Sequence, residues 1–459
     1  MINKLIRGRA LKLAGLFLVP LLIGLSPASS PLSDAQSPKR PNIVFILTDD
    51  HRWDFMSRAG HPVVKTPSLD RLASEGMLFS NAFVTSALCS PSRASFLTGL
   101  YAHTHGVQNN LTPWRDESVT FLELFKQAGY DTAFIGKWHM PGRLPKLRGV
   151  DLFVSFTIQG GQGRYWNCPL IVNGVETPSR NPYITEELTD RAIEFISQKR
   201  DNPFCLYLSH KAVHHEWSPP KDLARLYEDV KVPYPKEADT WVTSMNGAVY
   251  AGTFGRLDYH YKNYCRVVVD VDRNVGRFLN KLEELGFAEN TIVVYAGDNG
   301  YFWGEHRLVD KRWAYEESIR IPFIVRFPRL IKDPGRRAHQ MVLNIDLAPS
   351  LLEAAGLPVP EHMQGKSFVP ILKSASAQGR KAWLYEYSKD FPYNTPGIEG
   401  VRTDTHIYIE YSSKRPPELY DVVKDPRQQR NLIDTEEGKR LLPEMKKMLG
   451  DLKKGKKFD

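Results

Sequence analysis

Asn42-Ile-Val-Phe-Ile-Leu47 is a short apolar run rich in β-branched residues, bounded by Pro41 on one side and by Thr48-Asp49-Asp50 on the other. Its length and its lack of polar alternation fit a central strand of a parallel sheet, buried on both faces. The pattern recurs: Thr132 to Ile135, Phe204 to Leu208, Thr291 to Tyr295 and Ile321 to Phe327 read as strands, and Leu78 to Val84 as a strand-like segment. Helical segments intervene, opening at Thr66-Pro-Ser-Leu-Asp70 and running through about Gly76, then over Ser118 to Gln127, Glu186 to Gln198 and Asp346 to Gly356. Tyr261 to Leu285 is the clearest amphipathic helix, with Val268, Val271, Val275, Phe278 and Leu282 spaced three and four apart and Gly286 as its stop. Repeated alternation of strand and helix requires a mostly parallel α/β sheet covered on both sides. Arg143 to Tyr183, rich in Gly, Pro and aromatic residues, reads as loop and substrate-facing surface, and His215 to Phe254 as a long insertion. After about Leu372 the pattern changes to short aromatic strands, Trp383 to Ser388 and His406 to Tyr411, and a final helix near Leu441 to Leu452. A boundary there divides a large unit, residues 41–372, from a smaller one, residues 373–459.

Ligands of open parallel sheets bind beyond the carboxyl ends of the strands. Four of these strands end in polar or ionisable groups: Asp49-Asp50, Lys137-Trp138-His139, Ser209-His210 through His214, and Asp298-Asn299. Three carboxylates and an amide oxygen form a hard, oxygen-only set suited to Ca²⁺ or Mg²⁺ and poorly suited to Zn²⁺. Taken singly, Asp49-Asp50 reads equally as a helix cap and Asp298-Asn299-Gly300 as a plain turn. The stretch Thr85 to Gly99 adds Cys89, two residues before Pro91. Proline is tolerated in a first helical turn, so Cys89 sits at or just before a helix N-terminus, where the dipole and the unpaired N–H groups favour an anion. Arg93 adds a charge that is never titrated away. A cysteine taken alone reads as a small buried hydrophobe; in this company it reads as chemistry.

The segment resembles the C-x-P-S-R-x-x-x-L-T-G signature of the formylglycine-dependent sulfatases, met at Cys89, Pro91, Ser92, Arg93, Leu97, Thr98 and Gly99. In that family a separate maturation enzyme oxidises the cysteine to a formylglycine aldehyde, which is then hydrated. The resemblance implies a metal, Ca²⁺ with Mg²⁺ as the alternative, held at positions matching Asp49, Asp50, Asp298, Asn299 and an oxygen of converted Cys89. Lys137 matches a lysine that contacts the sulfate, and His139 the base that collapses the sulfated hemiacetal. His214 matches a histidine that protonates the departing alcohol, and Lys311 the second sulfate-binding lysine. Arg93 completes the expected catalytic set. Val213 stands where the family commonly has proline, and Gly297 where serine more often precedes Asp-Asn-Gly. Neither departure removes a reacting group.

The resemblance extends from Asn42 through Asp346-Leu-Ala-Pro-Ser-Leu-Leu and Gln364-Gly-Lys-Ser to Glu418-Leu-Tyr-Asp421 and Asn431-Leu432. It implies an alkaline-phosphatase-like fold: a large mixed, mostly parallel sheet flanked by helices, with a smaller C-terminal antiparallel sheet subdomain. Tyr101-Ala-His-Thr-His-Gly106 and Asp310-Lys-Arg-Trp-Ala-Tyr-Glu-Glu317 look most like the N-acetylglucosamine-6-sulfatase branch, which implies a 6-sulfated hexosamine substrate in a glycosaminoglycan or related sulfated polysaccharide. A phosphonate monoester or phosphodiester hydrolase of the same fold, and a non-catalytic binder of sulfated glycans, are the competing readings. His103-Thr-His105 reads as support for the nearby helix and not as a zinc site.

Residues 1–30 carry Lys4, Arg7, Arg9 and Lys12 ahead of the apolar run Leu13 to Leu25 and the small residues SPASS, the pattern of a secretory signal peptide. Residues 31–40 form a polar linker, and the expected location is secreted or periplasmic. Removal of the leader lowers the formal charge from +9 to about +5. Part of that surplus lies in a basic, solvated C-terminal tail. No zinc-finger, RNA-binding or helix-turn-helix signature suggests a nucleic-acid partner, and nothing after the leader reads as a membrane span. If Cys89 is modified, Cys168, Cys205 and Cys265 are left, an odd set without metal-type spacing. Mostly free, buried thiols are expected, with one disulfide left open.

Overall fold

The computed structural model describes residues 40–142, 144, 145, 147–233, 235 and 257–458. The expected leader, residues 31–39 of the linker, and residues 234 and 236–254 of the insertion lie outside them.

All seven residues of the strand Asn42–Thr48 are buried, as its unbroken apolar pattern requires. It is central to a ten-stranded sheet ordered Arg336–Ala338, Met77–Phe79, Phe323–Arg326, Thr291–Gly297, Asn42–Thr48, Phe204–Ser209, Asp131–Gly136, Leu152–Ser155, Leu170–Val172, Val175–Thr177. The five strands from Thr291–Gly297 to Leu152–Ser155 are mutually parallel, so their carboxyl ends line one edge. Phe323–Arg326 runs antiparallel to both of its neighbours, which makes the sheet mixed.

Successive side chains of a strand point to opposite faces, and Asn42–Thr48 sorts its residues accordingly. Ile43, Phe45 and Leu47 join one core layer with Phe96, Phe121, Phe134 and Tyr207. Val44 and Ile46 join the other with Leu72, Leu188 and the Val268, Val271, Val275 stripe. That stripe belongs to Leu257–Glu284, a helix of 28 residues that starts slightly earlier than its pattern predicts. Thr120 caps Phe121–Gln127 by accepting a hydrogen bond from the Glu123 N–H, so this helix starts after Ser118.

Two segments differ from the sequence reading. Arg143 to Tyr183 is not only loop: Leu152–Ser155, Leu170–Val172 and Val175–Thr177 extend the main sheet to its edge. Three- and four-residue strands with partly exposed positions leave too little pattern to detect. Leu78 to Val84 splits into Met77–Phe79 and Ala82–Phe83, which pair in different sheets.

The C-terminal segment forms a four-stranded antiparallel sheet, Ala382–Tyr387, Ile398–Thr403, His406–Tyr411 and Glu418–Asp421, followed by the helix Glu436–Lys453. Trp383, Tyr385 and Tyr387 face the large core, while Ala382 and Leu384 pack with Met445 and Leu449 of the helix. Cys168, Cys205 and Cys265 are free and buried.

Gly136 ends a central strand at φ 121°, and a Cβ placed on it would lie 1.8 Å from the Ser209 carbonyl oxygen. Gly136→Ala is therefore expected to destabilise the protein by more than about 3 kcal/mol or to prevent folding, as measured by denaturant unfolding. Wild-type stability in that variant would contradict the packing described.

Candidate active site

The parallel strands deliver their polar termini to one edge of the sheet. Asp49 and Asp50 follow Asn42–Thr48, Lys137 and His139 follow Asp131–Gly136, His214 lies beyond Phe204–Ser209, and Asp298 and Asn299 follow Thr291–Gly297. Main-chain hydrogen bonds tie these ends together: Asp298 N–H donates to Thr48 O at 2.8 Å, Asp49 N–H to Ala212 O at 2.9 Å, and Val213 N–H to Asp49 O at 2.7 Å. Asp50 and His139 hold left-handed φ angles of 57° and 54°, a conformation that Asp and His tolerate better than most residues.

Cys89 is the first residue of the helix Cys89–Thr98, whose ten residues are all buried. Its Sγ lies 3.5 Å from Asp49 Oδ1 and accepts from Lys311 Nζ at 3.1 Å. Burial, and then the Asp49 charge, push this thiol up to about 12, so the unmodified side chain is a protonated thiol at neutral pH.

One turn along, Arg93 donates from Nε to Asp298 Oδ2 at 2.9 Å, and from Nη1 to Lys137 O at 3.0 Å and Ser209 Oγ at 2.6 Å. Its Nη2 lies 2.9 Å from Asp298 Oδ2 and 3.5 Å from Asp49 Oδ2. Lys137 pairs with Asp49 and Lys311 with Asp50. Asn299 Nδ2 donates to Asp50 Oδ1 at 2.7 Å, and the Asp50 N–H donates to Asp298 Oδ1 at 2.9 Å. His214 Nε2 stands 3.8 Å from Asp50 Oδ2. His139 joins through Gln162, which contacts both its ring and Lys137. All ten residues singled out in the sequence thus belong to one connected cluster.

Burial works to raise the Asp49 carboxyl, but Lys137, His214, Arg93 and Lys311 together hold it well below the usual range. Burial and the Asp49 charge push Asp298 up to about 7. Burial, reinforced by Lys137, holds both His139 and His214 well below the ordinary histidine value.

The residues fit a divalent cation. Ligand atoms of Asp49, Asp50 and Asp298 lie within 4.8 Å of one another, and a second grouping joins Asp49 to Cys89 and His214. Asn299 Oδ1 is buried without a hydrogen-bond partner, an oxygen suited to a metal ion. A set dominated by carboxylate and amide oxygens favours Ca²⁺ or Mg²⁺.

His103 and His105 take no part in this cluster. His105 Nε2 lies 3.1 Å from Ser95 Oγ on the Cys89 helix, and His103 pairs with Glu386 of the small sheet at 2.8 Å, so the pair is structural support as expected.

Several residues went undetected in the sequence. Asn344 Oδ1 accepts from Thr85 N–H at 3.1 Å and Ile345 N–H at 3.0 Å, while its Nδ2 donates to Ser92 Oγ at 3.1 Å. It thereby holds both the approach to the Cys89 helix and its first turn. Asn110 Oδ1 accepts from Ser90 N–H at 3.0 Å. Gln162 was visible only as part of a glycine-rich stretch.

Residues 41–357 match the family described as Sulfatase, and residues 304–455 that described as N-sulphoglucosamine sulphohydrolase, C-terminal. The chain belongs to the sulfatase family. This sulfatase is 33% identical to an N-acetylglucosamine-6-O-sulfatase of Bacteroides thetaiotaomicron, with 94% of this chain and 90% of the relative covered. A human N-acetylglucosamine-6-sulfatase is 31% identical, with 90% of this chain and 85% of the relative covered. A solved structure described as a complex with its substrate D-glucosamine-2-N,6-O-disulfate superposes with a TM-score of 0.83 at 31% identity, covering 91% of this chain and 98% of that one. The fold of this sulfatase is the alkaline-phosphatase-like one, with its small antiparallel C-terminal sheet.

Asn344→Ala is expected to leave the buried Thr85 N–H unpaired and to lower stability by about 1–3 kcal/mol in denaturant unfolding. A loss below about 0.3 kcal/mol, within ordinary surface-mutation scatter, would show that Asn344 does not hold this segment.

Proposed function

We propose that this sulfatase removes 6-O-sulfate from hexosamine units of a glycosaminoglycan or related sulfated polysaccharide, with Cys89, Arg93, Lys137, His139, His214 and Lys311 as its working side chains. The observation that carries the site assignment is the convergence of three buried carboxylates, one of which, Asp49, meets Cys89, itself placed between Asp49 and Lys311. The choice of sugar follows the names of the relatives and the ligand of the solved structure.

Asp49, Asp50, Asp298 and Asn299 would hold a Ca²⁺ ion, with Mg²⁺ as the alternative, and Cys89 would be converted to formylglycine by a separate maturation enzyme. Together these groups supply a polarised sulfuryl oxygen and a hydroxyl nucleophile that a protonated thiol does not provide. An ammonium has three donors and no acceptor. Lys311 directs one donor to Asp50 and one to Cys89 Sγ, and Lys137 one each to Asp49 and Gln162, which leaves each lysine a donor for a sulfate oxygen. Arg93 donates from Nε and Nη1 to acceptors at the ends of three strands and so fixes Asp298 and those ends, while its buried Nη2 makes no hydrogen bond. His214 gives a proton to the ester oxygen as the alcohol leaves, and His139 accepts the proton that must be removed before sulfate departs. Burial and Lys137 disfavour protonation of both rings, and the charge of an entering sulfate opposes that bias.

The basic and apolar pattern of residues 1–30 supports export to the periplasm or the exterior. Among the described residues no helix is long and apolar enough to cross a membrane. We divide the exported chain functionally at about residue 372, with the small sheet buttressing the catalytic unit.

Protein from a maturation-competent host is expected to release inorganic sulfate from 6-O-sulfated N-acetylglucosamine, and Cys89→Ala to reduce release to background. Peptide mass spectrometry across Ser86 to Arg93 should show a mass about 18 Da below that of the cysteine form. Sulfate release by Cys89→Ala would contradict the mechanism, and a strong preference for an aryl phosphodiester would favour the competing hydrolase reading.

A further inference from the structure

A second cluster of metal-ligating side chains lies away from the catalytic edge, where the small sheet meets its helix. His406 opens the strand His406–Tyr411, Asp421 closes the strand Glu418–Asp421, and the two are direct partners in the antiparallel register. Directly opposed residues carry their side chains on one face of a sheet. Tyr408 and Leu419, each two residues further in, pack with Met445 and Leu449 of the helix Glu436–Lys453, so His406 and Asp421 face that helix as well. Glu437, in the first turn of the same helix, completes the group. One ligand atom each of His406, Asp421 and Glu437 lie within 4.8 Å of one another.

Two of the three side chains are held in place by their own hydrogen bonds. Asp421 is 8% exposed, and its Oδ1 accepts from the Val423 and Lys424 N–H groups at 3.0 and 2.9 Å, which leaves Oδ2 for the cluster. His406 Nδ1 lies 2.8 Å from the Thr405 hydroxyl, while its Nε2 is buried with no hydrogen-bond partner, 3.9 Å from Asp421 Oδ2. That separation is too long for a hydrogen bond. A cation already stands here: Lys424 Nζ is 3.2 Å from Asp421 Oδ2 and 3.7 Å from Glu437 Oε1, on a side chain that is 76% exposed and able to swing into solvent.

We propose that His406, Asp421 and Glu437 form a second metal site, which takes Zn²⁺ and ties two strands of the small sheet to the start of the terminal helix. An imidazole with two carboxylates is a donor set of Zn²⁺, whereas the oxygen-rich set at the catalytic edge suits Ca²⁺ or Mg²⁺. Three protein ligands leave the fourth tetrahedral position to water. Ligand atoms around a tetrahedral Zn²⁺ lie about 3.4 Å apart, and Glu437, whose side chain is 41% exposed, has the freedom to close the remaining distance. The Thr405 hydroxyl accepts the Nδ1 proton of His406, so the single Nε2 lone pair is left for the ion. The entering ion displaces the Lys424 ammonium from the two carboxylates.

Calorimetric titration of the full-length, Ca²⁺-saturated protein with Zn²⁺ tests this, the Ca²⁺ serving to occupy the catalytic carboxylates. The wild type and Cys89→Ala are each expected to bind one Zn²⁺ per chain with the same affinity. His406→Gln and Glu437→Gln, each with the far-UV circular dichroism of the wild type, should weaken that binding at least about tenfold. Zn²⁺ at about 100 times Kd should raise the wild-type Tm by about 3 °C, and that of either variant by less than about 1 °C. Absence of Zn²⁺ binding in the wild type, or unchanged affinity in either His406→Gln or Glu437→Gln, would overturn the proposal. Loss of binding in Cys89→Ala would overturn it too, by placing the ion at the catalytic edge.

Discussion

The structure depends on the mutual compensation of buried charges at the carboxyl edge of five parallel strands. Asp49, Asp50 and Asp298 are at most 1% exposed, and so is Arg93. Isolated, each such ion would lose several kcal/mol of hydration. None is isolated, because Lys137, Lys311 and Arg93 interleave with the carboxylates in a lattice of short contacts. The same proximity that stabilises the cations keeps the three carboxylates crowded, and Asp298 is pushed up to about 7 by burial and its Asp49 neighbour. Crowded oxygens with an unpartnered Asn299 amide oxygen among them describe a site built to receive a small divalent cation.

Strand order makes this lattice possible. Thr291–Gly297, Asn42–Thr48, Phe204–Ser209 and Asp131–Gly136 are consecutive in the sheet, so residues up to about 250 positions apart in the chain end side by side. Arg93 then links three of these ends, through Asp298, Lys137 O and Ser209 Oγ. The small C-terminal sheet buttresses the same region: Glu386 N–H donates to Thr85 O at 2.9 Å, and the Tyr385 hydroxyl donates to Arg312 O at 2.5 Å, beside Lys311. Cys89 and Lys311 are therefore braced by both the large core and the small sheet.

Much of this was legible in the sequence because parallel strands buried on both faces leave unbroken apolar runs, and the polar residues after Leu47, Ile135, Leu208 and Tyr295 stand out against them. The seven matched positions around Cys89 located the remaining group. What escaped detection has a common physical cause. Leu152–Ser155, Leu170–Val172 and Val175–Thr177 are strands of only three or four residues toward an edge, each with half-buried or exposed positions, so neither period nor composition marks them. Asn344 and Gln162 act through side-chain hydrogen bonds to segments far away in the chain, which no local pattern encodes. The glycines around Gln162 were visible, but their purpose, close approach to His139, exists only in three dimensions.

Calorimetric titration of chelator-stripped enzyme with Ca²⁺ tests the central claim most directly. The account predicts one ion bound per chain, with affinity weakened at least about tenfold in Asp298→Asn. Absence of binding in the wild type, or unchanged affinity in that variant, would contradict it.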